Sequence, residues 1–314
     1  RNICSNNWIQ PMTDDQASPR CGYIAVVGAP NVGKSTLVNR LVGSKVSIVS
    51  HKVQTTRTRV LGICLSENSQ IVLMDTPGIF EPRRRLDRAM VASAWSGSAE
   101  ADRTIVLIDS SKGGVDKNSR AILKKLNELK IKPDLVLNKI DLVKKPNLLQ
   151  LASDINQTWE IGETFMVSAE NGDGVEELLT FFAGQVPEGP WMFPEDQISD
   201  MPLRLLSAEI TREKLYEQLH EELPYASTVE TESWEEFEDG SVKVRQIIYI
   251  ERDSQKGIVL GKKGSRIKAL GEASRLELED IIGTKVHLFL FIKVKGKWGD
   301  DPDRYREWNL DFNA

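Results

Sequence analysis

Tyr23-Ile24-Ala25-Val26-Val27-Gly28-Ala29-Pro30-Asn31-Val32-Gly33-Lys34-Ser35-Thr36 decides how the first half of the chain folds. An apolar, β-prone run leads straight into G-x-x-x-x-G-K-S, and residues 35–41 continue with a helical pattern. Strand, glycine loop and helix in that order are the context this motif requires. Its backbone N–H groups point inward at phosphate oxygens, and the helix N-terminus adds positive potential. Residues 28–36 therefore read as a phosphate cradle. Lys34 reaches the β- and γ-phosphates, and the Ser35 hydroxyl is offered to magnesium.

Further β-rich runs at residues 71–75, 104–109, 135–138 and 165–168 each end in a loop rich in Gly, Asp, Asn or Ser. Helical patterns such as 116–129 and 174–182 lie between them. This alternation predicts an α/β, doubly wound and mostly parallel sheet with helices on both faces. Ligands bind beyond the carboxyl ends of such strands, so these loops should converge.

Three of these loops, and the stretch at 54–57 before them, carry matching chemistry. Asp75-Thr76-Pro77-Gly78 can place a carboxylate near magnesium and the Gly78 N–H near the γ-phosphate. Within Gln54-Thr55-Thr56-Arg57, a threonine is needed to complete the magnesium shell; Thr56 is the first choice and Thr55 the reserve. Asn138-Lys139-Ile140-Asp141 reads as a guanine site. Asp141 accepts from guanine N1–H and N2–H₂ together, and adenine would leave that carboxylate unpaired. Asn138 can bond the purine edge and brace nearby loops, and the Lys139 stem can stack on the base. Ser168-Ala169-Glu170 closes the site, its backbone facing guanine O6.

These elements, in this order and at these strand ends, resemble the Ras-like GTPase superfamily. The forms Gly28-x-Pro30-Asn31-x-Gly33, Gln54-Thr-Thr-Arg57 and Asp75-Thr-Pro-Gly78 resemble the branch that contains the Era family and the tRNA-modification GTPase. That resemblance implies GTP and GDP as ligands, magnesium as cofactor, and a monovalent cation, usually potassium, beside Asn31. The implied catalytic positions are Lys34, Thr56 and Gly78. Ras-like proteins orient the attacking water with a Gln that is replaced here by Ile79, which cannot hydrogen-bond. Slow intrinsic turnover is expected, with the water oriented by backbone, cation or partner. Arg83-Arg84-Arg85 reads chiefly as a solvated basic loop, with a transition-state arginine as the alternative.

Pro187, Pro190, Pro194 and Pro202 break regular structure, so residues 187–202 read as a linker between a GTPase domain, 20–186, and a second domain, 203–297. The second domain follows an α-β-β-α-α-β order: a helix at 203–223, a hairpin of 227–237 and 243–252, a glycine loop, a helix at 265–282 and a strand at 285–295. Ile258-Val259-Leu260-Gly261-Lys262-Lys263-Gly264-Ser265-Arg266-Ile267-Lys268 contains G-x-x-G with basic middle residues. Its glycines let backbone approach a sugar–phosphate chain, while Lys262, Lys263, Arg266 and Lys268 face phosphates. Ile258 and Val259 would floor unstacked bases. This is a type II KH arrangement, an α+β domain holding about four nucleotides.

With Glu221-Glu-Leu-Pro-Tyr225 before the first strand and Trp298-Gly-Asp-Asp301 near the end, nearly the whole chain is similar to the Era family. The resemblance implies a GTP-controlled factor that binds the 3′ end of 16S ribosomal RNA and assists small-subunit assembly. It further implies a cytoplasmic monomer in peripheral contact with the inner membrane, or an organellar matrix or stromal protein if the source is eukaryotic. Relatives acting on tRNA or the other subunit carry a modification domain or tandem GTPase domains, which this sequence lacks. A non-catalytic RNA scaffold that only senses GTP is the other rival, kept open by Ile79.

Composition agrees. The 314 residues suit about two domains. Apolar residues at 40% and charged residues at 28% exclude a disordered chain, a collagen and a disulfide miniprotein. The apolar run 288–292 stops at Lys293, against about 20 residues for a spanning helix. Cys4, Cys21 and Cys64 show no metal or disulfide spacing and read as reduced thiols. Residues 1–19 lack the apolar core of a signal peptide and are expected as a flexible extension, with Met12 a candidate start. Residues 298–314 are expected as a tail. Net charge is −5, yet residues 243–268 hold eight Lys/Arg against two acids, and 230–239 hold six acids and no base. Such segregation outweighs the total and keeps nucleic acid in play.

Overall fold

The computed structural model describes residues 18–52, 55–219 and 223–314. Cys4, Met12 and Gln54, with Glu221 and Glu222 of the stretch before the hairpin, lie outside the described residues.

The first unit follows the predicted alternation: β1 (Arg20–Gly28), α1 (Lys34–Val42), β2 (Val60–Ser66), β3 (Ser69–Asp75), α2 (Arg85–Glu100), β4 (Arg103–Asp109), α3 (Lys117–Glu128), β5 (Asp134–Asn138), α4 (Lys145–Thr158), β6 (Thr164–Val167) and α5 (Val175–Gln185). The sheet order is β2-β3-β1-β4-β5-β6, with only the β2–β3 pair antiparallel. Central strands buried on both faces are near-continuous apolar runs, and Val26, Val27, Val106 and Leu107 are fully buried. Strand β2 is absent from the sequence reading. Its glycine interrupts the β-prone run, and only the turn at Glu67, with φ of 51°, marks it as half of a hairpin.

The second unit comprises α6 (Leu203–Gln218), β7 (Ser227–Glu236), β8 (Val242–Ile250), α7 (Asp253–Leu260), α8 (Ser265–Ile282) and β9 (Val286–Val294), the α-β-β-α-α-β order of the KH reading. Its sheet is β7-β8-β9, with β8 antiparallel to β7 and parallel to β9. Helix α6 ends at Gln218, several residues before the expected stop at Pro224.

Two segments read as connector and tail are packed instead. Residues 187–202 form no helix, yet they strap the edge of the first sheet. Met192 N and Phe193 N donate to Gln70 Oε1 at 2.9 and 3.0 Å, and Ile63 N donates to Ile198 O at 2.9 Å. Trp191 and Phe193 pack on Leu61, Ile63 and Val72. Beyond β9, Trp298, Tyr305 and Trp308 are buried against Leu86, Ala89 and Met90 of α2. These aromatic rings supply the apolar area that anchors a short terminal segment. The connector is thus fixed to the first sheet, and the terminal segment ties the second unit to the first. Among the described residues, no helix is long and apolar enough to cross a membrane.

Candidate functional site

An open cleft of about 770 Å³ lies at the carboxyl end of β1, lined by Asn31, Gly33, Lys34, Ser35, Thr56 and Lys139 among others. The tight turn into α1 needs Gly33. Its φ is +98°, and a Cβ there would stand 2.2 Å from Asn138 Nδ2. Lys34 is buried, and its Nζ donates to Gly28 O at 3.3 Å and Ala29 O at 3.0 Å. Burial holds this amine down at about 8, with Asp75 pulling the other way. Phosphate is the natural partner for a buried ammonium at a helix N-terminus.

Three residues from three separate elements, the first turn of α1, a loop and the end of β3, meet beside it. Ser35 Oγ donates to Asp75 Oδ2 at 2.7 Å, the Ser35 and Thr56 hydroxyls lie 2.9 Å apart, and Thr56 Oγ1 reaches Asp75 Oδ2 at 3.5 Å. Ser47 Oγ joins them, donating to Asp75 Oδ2 at 2.6 Å. Ser47 carries no motif and the sequence reading missed it. Burial pushes the Asp75 carboxyl up, opposed by the hydroxyls of Ser47 and Ser35 and by Lys34. Asp75 Oδ1 is buried and has no hydrogen-bond partner among the described residues. A buried acceptor without a donor, in an all-oxygen set, fits a hard divalent cation such as magnesium. Ser35, Thr56 and Asp75 would hold it, and it would neutralise charge on the phosphates. Thr55 turns away, its Oγ1 donating to Lys52 O at 2.7 Å, so geometry favours Thr56 over the reserve.

The rest of the D-x-x-G loop needs correction. The Thr76 hydroxyl donates to Val26 O at 2.7 Å and Pro77 is buried, so neither side chain faces the cleft. They fix the turn that presents Asp75 and Gly78. Ile79 N donates to Gly28 O at 3.0 Å and its side chain joins the core, docking this loop on the cradle.

At the base end, Asn138 is a brace: Nδ2 donates to Val32 O at 2.8 Å and Oδ1 accepts from Ala169 N at 3.0 Å. Of the 168–170 backbone expected to face guanine O6, the Ala169 N–H is given to Asn138 here, and Arg40 Nε donates to Ala169 O at 3.1 Å. Lys139 Nζ clamps Asn31 O at 2.8 Å and Asp109 Oδ2 at 2.7 Å, while Asn31 Nδ2 donates to His51 O. Asp141 is exposed rather than buried, oriented by the Ser168 hydroxyl at 2.6 Å. The desolvation behind guanine selectivity must then come from the bound base itself. Glu170 is exposed at the rim.

The second candidate surface joins α7 to α8. Lys262, Lys263 and Lys268 are exposed, and Ile258 is 50% exposed beside them. Val259 is fully buried against Ala208, Leu215 and Leu270, so it cannot floor a base. Successive helical residues diverge by about 100°, which sends Ile258 out and Val259 in. The Arg266 guanidinium donates to Ile258 O, stapling the loop rather than reaching outward. The acidic strand β7 lies at the edge opposite β9, where Glu232 and Glu235 pair with Lys293 and Lys243. Arg85 lies over the Phe312 ring at 4.3 Å, and Arg84 Nη1 donates to Tyr225 O at 3.4 Å. That basic loop serves the contact between the two units.

Comparison with known proteins follows the same division. The family described as "50S ribosome-binding GTPase" matches residues 23–139, and "KH domain" matches residues 222–299. GTPase Era of Afipia carboxidovorans is 59% identical over 302 residues, covering 96% of this chain and 98% of that protein. GTPase Era of Brucella suis is 59% identical over 293 residues, covering 93% and 94%. A crystal structure of Era in complex with MgGDPNP and nucleotides 1506–1542 of 16S ribosomal RNA superposes with a TM-score of 0.87 at 39% identity, covering 92% of this chain and 98% of that one. Era of Aquifex aeolicus bound to GDP and aluminium fluoride superposes equally well. With nucleotide cradle, magnesium set, guanine loop and KH module in one chain, and relatives matching along nearly its whole length, the chain belongs to the Era family of GTPases.

Proposed function

We propose that this GTPase is a nucleotide-controlled RNA-binding factor that holds the 3′ end of 16S ribosomal RNA through its KH loop and assists assembly of the small ribosomal subunit. One observation carries the reading: Lys262 and Lys263 stand in solvent on a G-x-x-G loop, in a chain that superposes over 92% of its length on a relative solved with that RNA segment. The broader description of the GTPase family names the large subunit, but it covers the first domain only. The KH half and the full-length relatives favour the small one. Residues 258–268 would track the RNA backbone, with Gly261 and Gly264 admitting it closely, Lys262, Lys263 and Lys268 on phosphates, and Ile258 under a base.

In the GTPase domain, residues 28–36 hold the phosphates, Gly78 N–H approaches the γ-phosphate, and Asp141 reads guanine. Magnesium at Ser35, Thr56 and Asp75, and a monovalent cation beside Asn31, supply the remaining positive charge. Phosphoryl transfer needs positioning and charge neutralisation more than covalent help. Ile79 is buried and cannot orient the attacking water, so unassisted turnover is slow. The cytoplasmic setting and the peripheral membrane contact rest on the family resemblance alone.

The test is GTP hydrolysis at fixed magnesium in potassium and in sodium, with and without an oligonucleotide of the 16S 3′ end. Binding of that RNA, with turnover raised most in potassium, is the expected result. No preference for this RNA over a scrambled strand overturns the RNA assignment. Equal rates in both salts remove the cation at Asn31.

A further inference from the structure

Arg57 directly follows the threonine of the magnesium set; it is 3% exposed and does not itself line the nucleotide cleft, although its partner Tyr216 does. Its Nη2 donates to Tyr216 Oη at 2.8 Å and to Ser227 O at 3.0 Å. The guanidinium carbon lies 5.1 Å from the Trp298 ring centroid, 5.9 Å from Trp308 and 6.0 Å from Tyr216. These are cation–π distances in a desolvated setting, where such contacts are strongest. Every partner belongs to the second domain or the segment after it: α6, the start of β7 and the aromatic tail.

The same loop is tied to α6 at further points. Arg212 Nη2 donates to Thr55 O at 2.5 Å, and Val49 N donates to Glu213 Oε1 at 2.7 Å. Glu209, Arg212, Glu213 and Tyr216 are spaced i, i+3, i+4, i+7, which places them on one face of the helix. That face is turned to the nucleotide domain. Meanwhile Arg57 Nε and Nη1 reach no acceptor among the described residues. The guanidinium is therefore held largely by rings, a softer hold than a bidentate carboxylate.

Adjacent Cα atoms are about 3.8 Å apart, so a caged Arg57 leaves Thr56 little room to move. The Thr56 hydroxyl is at the same time at Ser35 and Asp75. We propose that Arg57 is a positioning residue for the GTPase: seated among Tyr216, Trp298 and Trp308, it holds Thr56 at the magnesium set and so biases the protein toward the triphosphate over the diphosphate. The loop threonine belongs to the metal shell only while a γ-phosphate is present, so the anchor acts on one nucleotide and not the other. By reciprocity, the triphosphate tightens the seat of Arg57 in the second domain. The inference rests on the GTPase site and not on the RNA reading.

The test measures the dissociation constants of Mg-GDPNP and Mg-GDP, without RNA, for the full chain and for Arg57→Met, Arg57→Lys, Trp308→Leu and the Met/Leu double variant. GDP binding by the unaltered chain shows first that the nucleotide site itself is sound. Arg57→Met is expected to weaken the triphosphate analogue about tenfold while GDP stays within about twofold. Arg57→Lys recovers most of that loss, since it keeps a cation among the rings. Trp308→Leu, in the tail, shows the same selective loss at smaller size, and the double variant loses no more than Arg57→Met. Equal weakening of both nucleotides, an unchanged ratio, or additive losses would each overturn the proposal. If Arg57→Met does not fold, Trp308→Leu decides by the same criterion.

Discussion

The loops at residues 28–35 and 261–264 both set glycine beside lysine, and they are built in opposite ways. In the first, Lys34 is buried and Gly33 is wedged against Asn138. In the second, Lys262 and Lys263 stand in solvent, and nothing lies within 4 Å of a Cβ built on Gly264. The first is a preformed cavity in which backbone amides and one dehydrated charge act together. The second is a charged surface whose contacts with a phosphate chain would be separate and screened by salt. A site of the first kind fails at a single substitution, and a site of the second kind fails by increments.

The same substitution at both loops puts that contrast at risk. Gly33→Ala places a methyl 2.2 Å from the Asn138 amide, which braces Val32 and Ala169, and strains a φ of +98°. GDP affinity should fall by about a hundredfold or more, since the brace joins the phosphate and base ends of the site. Gly264→Ala meets only the left-handed backbone penalty, about 1–2 kcal/mol, at a φ of +77°. RNA affinity should then fall by no more than about thirtyfold. Titration of each variant with its own ligand checks the pair. Comparable losses at the two loops would break the distinction.

A smaller effect is expected at Asp141, which is exposed two residues beyond Lys139 of the cleft. Its second oxygen is already oriented by Ser168. Asp141→Asn replaces one acceptor by a donor facing guanine N2, so GTP binding should weaken by about tenfold to a hundredfold. Xanthosine triphosphate, whose oxygen at that position accepts, should regain most of it. Competition between the two nucleotides measures this directly. A variant that keeps its guanine preference would take Asp141 out of the base site.

What the sequence shows and what it hides follow the range of the interactions. The cradle, Asp75 and the guanine loop are legible because each sits where a parallel strand ends, and the strand order then brings them together. Ser35, Thr56 and Asp75 meet as the spacing predicts, whereas Ser47 has no pattern around it to mark its place on Asp75. Helix α6 illustrates the opposite limit. Its sequence announces only a helix, yet Arg212 and Glu213 are buried at the contact between units. Arg57 and Tyr216 lie 159 residues apart, so no local period announces their meeting. The packing of residues 298–314 is hidden for a related reason: Trp298, Tyr305 and Trp308 find their apolar partners on α2, far away in the chain.

The smallest expected effect tests the second loop on its own terms. If Lys262 and Lys263 act as separate point charges on phosphates, each contributes to the release of counterions and little else. For single-stranded RNA, each neutralised phosphate adds about 0.7 to the slope of log affinity against log salt. Lys262→Ala and Lys263→Ala should therefore each reduce that slope by about 0.7, and the double variant by about twice as much. Nucleotide affinity should not change, because neither ammonium lines the cleft. Lys268, exposed one turn into α8, should behave in the same way. Arg266 should not: its guanidinium closes the loop on Ile258 O, so Arg266→Ala should lower RNA affinity at all salt concentrations while leaving the slope nearly unaltered. Additive slopes at the three lysines beside a salt-independent loss at Arg266 would separate charge from shape within one loop. A single lysine carrying the whole slope would mean that this loop, too, is a preformed pocket.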